Sequence, residues 1–212
     1  MSAADTAVVF VHGLWMTGLE SFALHHHVSK QHGWQWHTFH HHSVGQSPEA
    51  VVEALDAAVR RLAASRVHLV GHSLGGLVIH RALQARPDWP PGRVVFLGTP
   101  AVGSRAAERF QELPLGEWLL GHAADVLLDP VLRPWESPRE LGIIAGTGTI
   151  SLGRLVSQFG DEPNDGTVSV AETRLPGATA HLVLPVSHTG MLFSTEVAQQ
   201  ACSFLDGGRF RN

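Results

Sequence analysis

The sequence predicts an α/β protein, with about six strands in a mostly parallel sheet and helices on both of its faces. Two observations carry this expectation. Short β-branched runs alternate with stretches of helical periodicity, which is the pattern of βαβ units. The 212 residues are 44% hydrophobic and 16% charged, which supports one buried core and is too apolar for disorder. Six strands and their helices fill that length, so residues 1–212 are expected to form a single domain.

The first strand is read from Ala7 to Val11 and ends at His12-Gly13. A helix from about Leu19 to Lys30 stops near Gly33, and a second strand runs from Gln35 to Phe39. The next helix opens at Pro48, a favoured first helical position, and carries an apolar stripe of Val51, Leu55, Val59 and Leu62. Val67 to Val70 forms the third strand and leads through Gly71-His72-Ser73-Leu74-Gly75-Gly76 into a helix that Pro87 stops. The fourth strand is Val94 to Leu97, the fifth Gly142 to Ala145 and the sixth His181 to Leu184; a helix from Thr195 to Leu205 closes the domain.

One stretch breaks the alternation. Some forty residues, 101–141, separate the fourth and fifth strands where one helix would suffice. They hold Phe110, Leu113, Leu115, Trp118, Leu119, Leu120, Val126, Leu127, Leu128 and Trp135, interrupted by Pro114, Pro130, Pro134 and Pro138. Long connections with structure of their own are often lids or binding segments, so this one is read as a lid or substrate-binding insertion.

Composition excludes several classes of partner. A net charge of -4 leaves no polyanion-binding footprint, so nucleic acid is not expected. The single cysteine, Cys202, cannot form an internal disulfide and falls among apolar residues of the last helix, as a small buried hydrophobe does. The first residues have no basic n-region or apolar h-region, and no window approaches the ~18 apolar residues of a membrane-spanning helix. A cytoplasmic protein is expected. The 15 histidines include the runs His25–His27 and His40–His42, but neighbours in sequence rarely converge on one ion, so no metal is expected.

Gly71-His72-Ser73-Leu74-Gly75 fits G-x-S-x-G, a weak pattern alone. Its context between a strand and a helix strengthens it, because a nucleophilic serine must be lifted on a strained strand-to-helix turn. Side chains at Gly71 and Gly75 would collide with the neighbouring helix and strand. A serine hydroxyl needs a base, and the base needs an orienting acid. His188 follows the last strand and therefore lies on the same sheet edge as Ser73. His181 begins that strand and belongs to the opposite edge, while His72 is expected to point away from Ser73. The acid falls among Asp161, Glu162 and Asp165, with Asp165 favoured by its turn, Asn164-Asp165-Gly166. Oxyanion donors are expected from the Leu74 amide and from the loop after the first strand, at Leu14 or, second, Trp15.

Taken together, Val11-His12-Gly13-Leu14, Gly71-His72-Ser73-Leu74-Gly75-Gly76, Leu97-Gly98-Thr99-Pro100, Asn164-Asp165-Gly166-Thr167-Val168 and Ser187-His188 span nearly the whole chain. In these pieces the sequence resembles the α/β-hydrolase superfamily, especially small bacterial lipases and esterases. The resemblance implies a minimal α/β-hydrolase fold and a catalytic triad of Ser73, Asp165 and His188. It also implies oxyanion donors at Leu14 and Leu74, no cofactor, and a small-molecule or lipid ester as substrate. Thioester hydrolysis or acyl transfer on the same triad is the alternative, and a non-catalytic binding protein of the same fold is a more distant one. The sequence departs from many relatives in having Ala101, not His, after Thr99-Pro100, and it shows no transferable calcium site.

Overall fold

Thr6 is followed by five residues, Ala7–Val11, that are apolar on both sides of the pleat, so only a strand covered on both faces satisfies them. In the computed structural model, which describes residues 5–42, 44–105, 107–108, 112, 120–127, 133–148 and 161–211, they form β1, Thr6–Val11, fully buried. The other strands are β2 (Gln35–Phe39), β3 (Arg66–His72), β4 (Val94–Leu97), β5 (Leu141–Gly146) and β6 (Ala180–Leu184). The sheet order is β2-β1-β3-β4-β5-β6 with every pair parallel. The predicted strands are therefore all present, two with the expected bounds and four extended by one to three residues.

Alternation along β1 divides the core. Ala7, Val9 and Val11 face one cluster, shared with α2 (Pro48–Arg60) and α3 (Leu74–Ala85). Val8 and Phe10 face the other, shared with α1 (Phe22–His32) and α4 (Thr195–Gly207). The helix ends follow local chemistry. Ser47 and Ser194 each cap a helix by accepting an N–H on the side-chain oxygen, and Gly33 ends α1 in the left-handed conformation. Of the predicted α2 stripe, Val51, Leu55 and Val59 are buried, while Leu62 lies past the helix end and is partly buried. Cys202 is buried as expected.

The described parts of the long connection contribute to the core. Leu120, Val126, Leu127 and Trp135 are buried in the α3-side core, and Trp135 meets Phe96 edge-on at 5.8 Å. The Trp135 indole donates to the Arg139 carbonyl (2.7 Å), and the buried Arg139 guanidinium donates to the carbonyls of Val67 and Pro90. Phe110, Leu113, Leu115, Trp118, Leu119 and Leu128 lie outside the described residues.

Parallel register decides where the site can be. Val11 is level with Gly71, and His72 with Leu97, so the loops after β1, β3 and β4 leave the sheet together. Gly146 is level with Leu184, which brings the loops after β5 and β6 to the same edge.

Candidate active site

Ser73 joins β3 to α3 with φ 53° and ψ -121°, a conformation that L residues rarely adopt. Only Trp15 shares a positive φ among the described non-glycine residues, at 56°. Both strained positions are on the edge singled out by the sequence. Packing enforces the turn. A Cβ at Gly71 would sit 2.6 Å from the Gly76 Cα, and one at Gly75 would run into the Val11 carbonyl at the end of β1. The Ser73 amide donates to the Leu97 carbonyl at 2.9 Å, which ties the turn to β4.

The loop after β1 comes close to the serine. A Cβ on Gly13 would be 3.1 Å from the Ser73 Cβ, so the chain leading to Leu14 passes directly beside it. Leu74 begins α3, where unpaired amides and the helix dipole favour negative charge. The loop is braced by two histidines. His12 donates from Nδ1 to the Gly13 carbonyl (2.8 Å), and its ring stacks on His41 at 4.2 Å and 3°. His41 donates from Nε2 to the His12 carbonyl (3.3 Å). Burial lowers the pKa of His12 and takes His41 down to about 4, so both rings stay neutral. The His40–His42 run, from which no metal site is expected, supplies one of these braces. The alternation that continues β2, with Phe39 and His41 buried and His40 and His42 exposed, is the signal that points inward.

Of the three candidate carboxylates, only Asp165 meets the His188 ring. His188 donates from Nδ1 to Asp165 Oδ2 at 2.8 Å. Asp165 Oδ1 accepts the amides of Thr167 (2.9 Å) and Val168 (2.7 Å), and the residue is buried. The His188 amide also donates to the Asp165 carbonyl at 2.9 Å. Glu162 instead pairs with Arg105 at 2.6 Å, which is what lowers its pKa, and Asp161 is exposed. His181 hydrogen-bonds Thr173, away from this group. Gly98 packs against the pair, since a Cβ there would be 3.0 Å from Asp165 Oδ2 and 3.1 Å from His188 Nδ1. Buried Glu172 accepts the amides of Ser169 (2.6 Å) and Arg105 (2.8 Å), joining the Asp165 loop to the segment after β4.

The His72 side chain reaches the loop that carries His188. Its ring lies 4.7 Å from that of His188 and its Nε2 is 3.0 Å from the His188 carbonyl. Adjacent residues on a strand alternate faces, and that rule alone does not show what the ring meets across the sheet edge. No group of three or more possible metal ligands occurs among the described residues. No helix among them is long and apolar enough to cross a membrane. A cavity of about 740 Å³ along α2 and α3 is lined by Glu49, Glu53, Arg81 and Arg133, and by none of Ser73, Asp165 or His188.

Comparison with known proteins agrees with this architecture. The family model for the alpha/beta hydrolase fold matches residues 6–141. No curated protein matches the sequence. Among solved structures, the chain is similar to the mature form of the lipase BlEst2 from Bacillus licheniformis, with a TM-score of 0.75 and 22% identity over 96% of this chain and 91% of that one. It spans 47% of the same lipase in its propeptide form. The metagenomic carboxyl esterase MGS0156 gives a TM-score of 0.68 and 20% identity over 89% of this chain and 66% of that one. A Vlm2 thioesterase domain gives 0.63 and 17% over 99% and 96%. At these identities the structural likeness speaks for the fold alone. With more than half the chain matched by the family model, and six parallel strands in place, the chain belongs to the alpha/beta hydrolase fold family.

Proposed function

We propose that the protein is a serine carboxylic-ester hydrolase in which Ser73 is the nucleophile, His188 the base and Asp165 the orienting acid. The observation that carries this reading is the 2.8 Å bond from His188 Nδ1 to the buried Asp165, which leaves Nε2 as the ring nitrogen to serve a nucleophile. The strained turn at Ser73 supports the choice of nucleophile, as strain of this kind concentrates at functional sites.

In the cycle, His188 takes the Ser73 proton as Oγ attacks the ester carbonyl, and Asp165 holds the imidazole in the required tautomer. The Leu14 and Leu74 amides receive the oxyanion, each donor contributing about 3 kcal/mol to the transition state. The alcohol leaves with the proton from His188, and water then cleaves the acyl-enzyme by the same route. The chemistry needs no cofactor. A hydrophobic acyl group suits Trp15 and Phe193, both about half exposed, which flank the oxyanion loop and the base in sequence.

Labelling by a fluorophosphonate, with Ser73→Ala as control, tests the assignment. Folded wild-type protein that does not label refutes it. Rates on nitrophenyl esters of increasing chain length, with thioester counterparts, test the substrate class; an optimum at acetate contradicts the hydrophobic acyl group.

A further inference from the structure

The base is held at three points, and one of them lies outside the triad. Asp165 accounts for two, by accepting the His188 main-chain amide and the ring Nδ1–H. The third is the His188 carbonyl, 3.0 Å from His72 Nε2. A carbonyl oxygen only accepts, so His72 carries its proton on Nε2 and donates it. This bond joins the nucleophile's own turn to the loop of the base, across 116 residues of chain.

The other face of His72 makes the arrangement costly in any purely structural role. Its Nδ1 is buried with no hydrogen-bond partner among the described residues, beside Gly13, where an added Cβ would be 3.2 Å away. A phenylalanine or leucine would fill the space without an orphaned buried nitrogen, so packing alone does not explain a histidine here. Burial, with the neighbouring His188 second, takes the His72 pKa down to about 3. The ring therefore stays neutral while His188 gains and loses a proton, and it donates a hydrogen bond without repelling the imidazolium, as a lysine or arginine donor would.

We propose that His72 is a positioning residue: its Nε2–H fixes the His188 main chain, and so holds the base in line with the Ser73 hydroxyl through the proton transfers. This rests on the serine-hydrolase reading above. Small displacements of a reacting group change rate more than binding, so the signature is a loss in kcat with KM little altered.

The test measures kcat and KM on nitrophenyl butyrate per active site titrated with fluorophosphonate, in the full-length protein. His72→Phe keeps the ring and removes the donor; kcat per titrated site is expected to fall about 10- to 100-fold with KM within about twofold. His72→Gln places an amide N–H near the Nε2 position and is expected to recover most of that loss. His72→Asn has a donor too short to reach the carbonyl, and it replaces the phenylalanine variant in the comparison if that protein does not fold. Wild-type kcat per site in the phenylalanine or asparagine variant, or equal losses in the glutamine variant and its partner, overturns the proposal and leaves the serine-hydrolase reading standing. Wild-type protein that does not label overturns both.

Discussion

Acidification from pH 7.5 to pH 5 is expected to remove about 6 kcal/mol of folding stability, and three buried histidines account for it. His41, His68 and His72 are all under a tenth exposed. Desolvation is the first cause of each shift, taking His41 to about 4 and both His68 and His72 to about 3. In the unfolded chain each returns to about 6.5. Below that pH the unfolded state binds protons that the folded state refuses, so stability falls as pH falls. At pH 5 each group is about 1.5 pH units below its unfolded value, which costs about 2 kcal/mol per group. The lowered histidines 12, 27, 37, 80 and 181 pull in the same direction. The carboxylates held low, such as Asp56 and Glu162, lose stabilisation only at more acid pH, so the window from 7.5 to 5 belongs to histidine. Urea unfolding followed by tryptophan fluorescence at several pH values measures the loss directly. His68→Asn isolates one contribution, because the Asn oxygen can take over the Arg93 amide that His68 Nδ1 accepts at 3.0 Å, without titrating. The loss should then shrink to about 4 kcal/mol. A wild-type loss below about 2 kcal/mol, or an unchanged slope in His68→Asn, refutes the reasoning.

Other perturbations address the site and its frame. Gly98→Ala puts a methyl against both Asp165 and His188 at a φ of 55°, so kcat should fall at least about tenfold, measured per titrated site. Gly75→Ala drives a Cβ into the Val11 backbone and should cost about 3 kcal/mol, seen as a lowered Tm. The Cys202 thiol, pushed up to about 12 by burial, should not react with a disulfide reagent at pH 8 in native protein and should titrate as one thiol in urea.

The parts of the fold legible in the sequence are those whose cause is local. A strand buried on both faces must be apolar at every position, so Ala7–Val11 and Val94–Leu97 declare themselves, and the glycines around Ser73 mark where backbones must touch. Asp165 stands out among three nearby carboxylates by its turn and by the family resemblance, while the partner each carboxylate meets, His188 for Asp165 and Arg105 for Glu162, is not written in the local sequence. Leu120, Val126, Leu127 and Trp135 belong to the segment expected to be a lid or substrate-binding insertion, and apolar content does not say which side such a segment presents; these four pack in the α3-side core. His72 and His41 are hard to place for a related reason. Nothing within ten residues of His72 indicates that its proton reaches the carbonyl of His188, and nothing beside His41 announces the ring of His12. A histidine is polar enough to be dismissed as surface and apolar enough to be buried, and its partner decides between the two. In this chain those partners belong to the loops around the serine, so the residues hardest to place from sequence are the ones that brace the site.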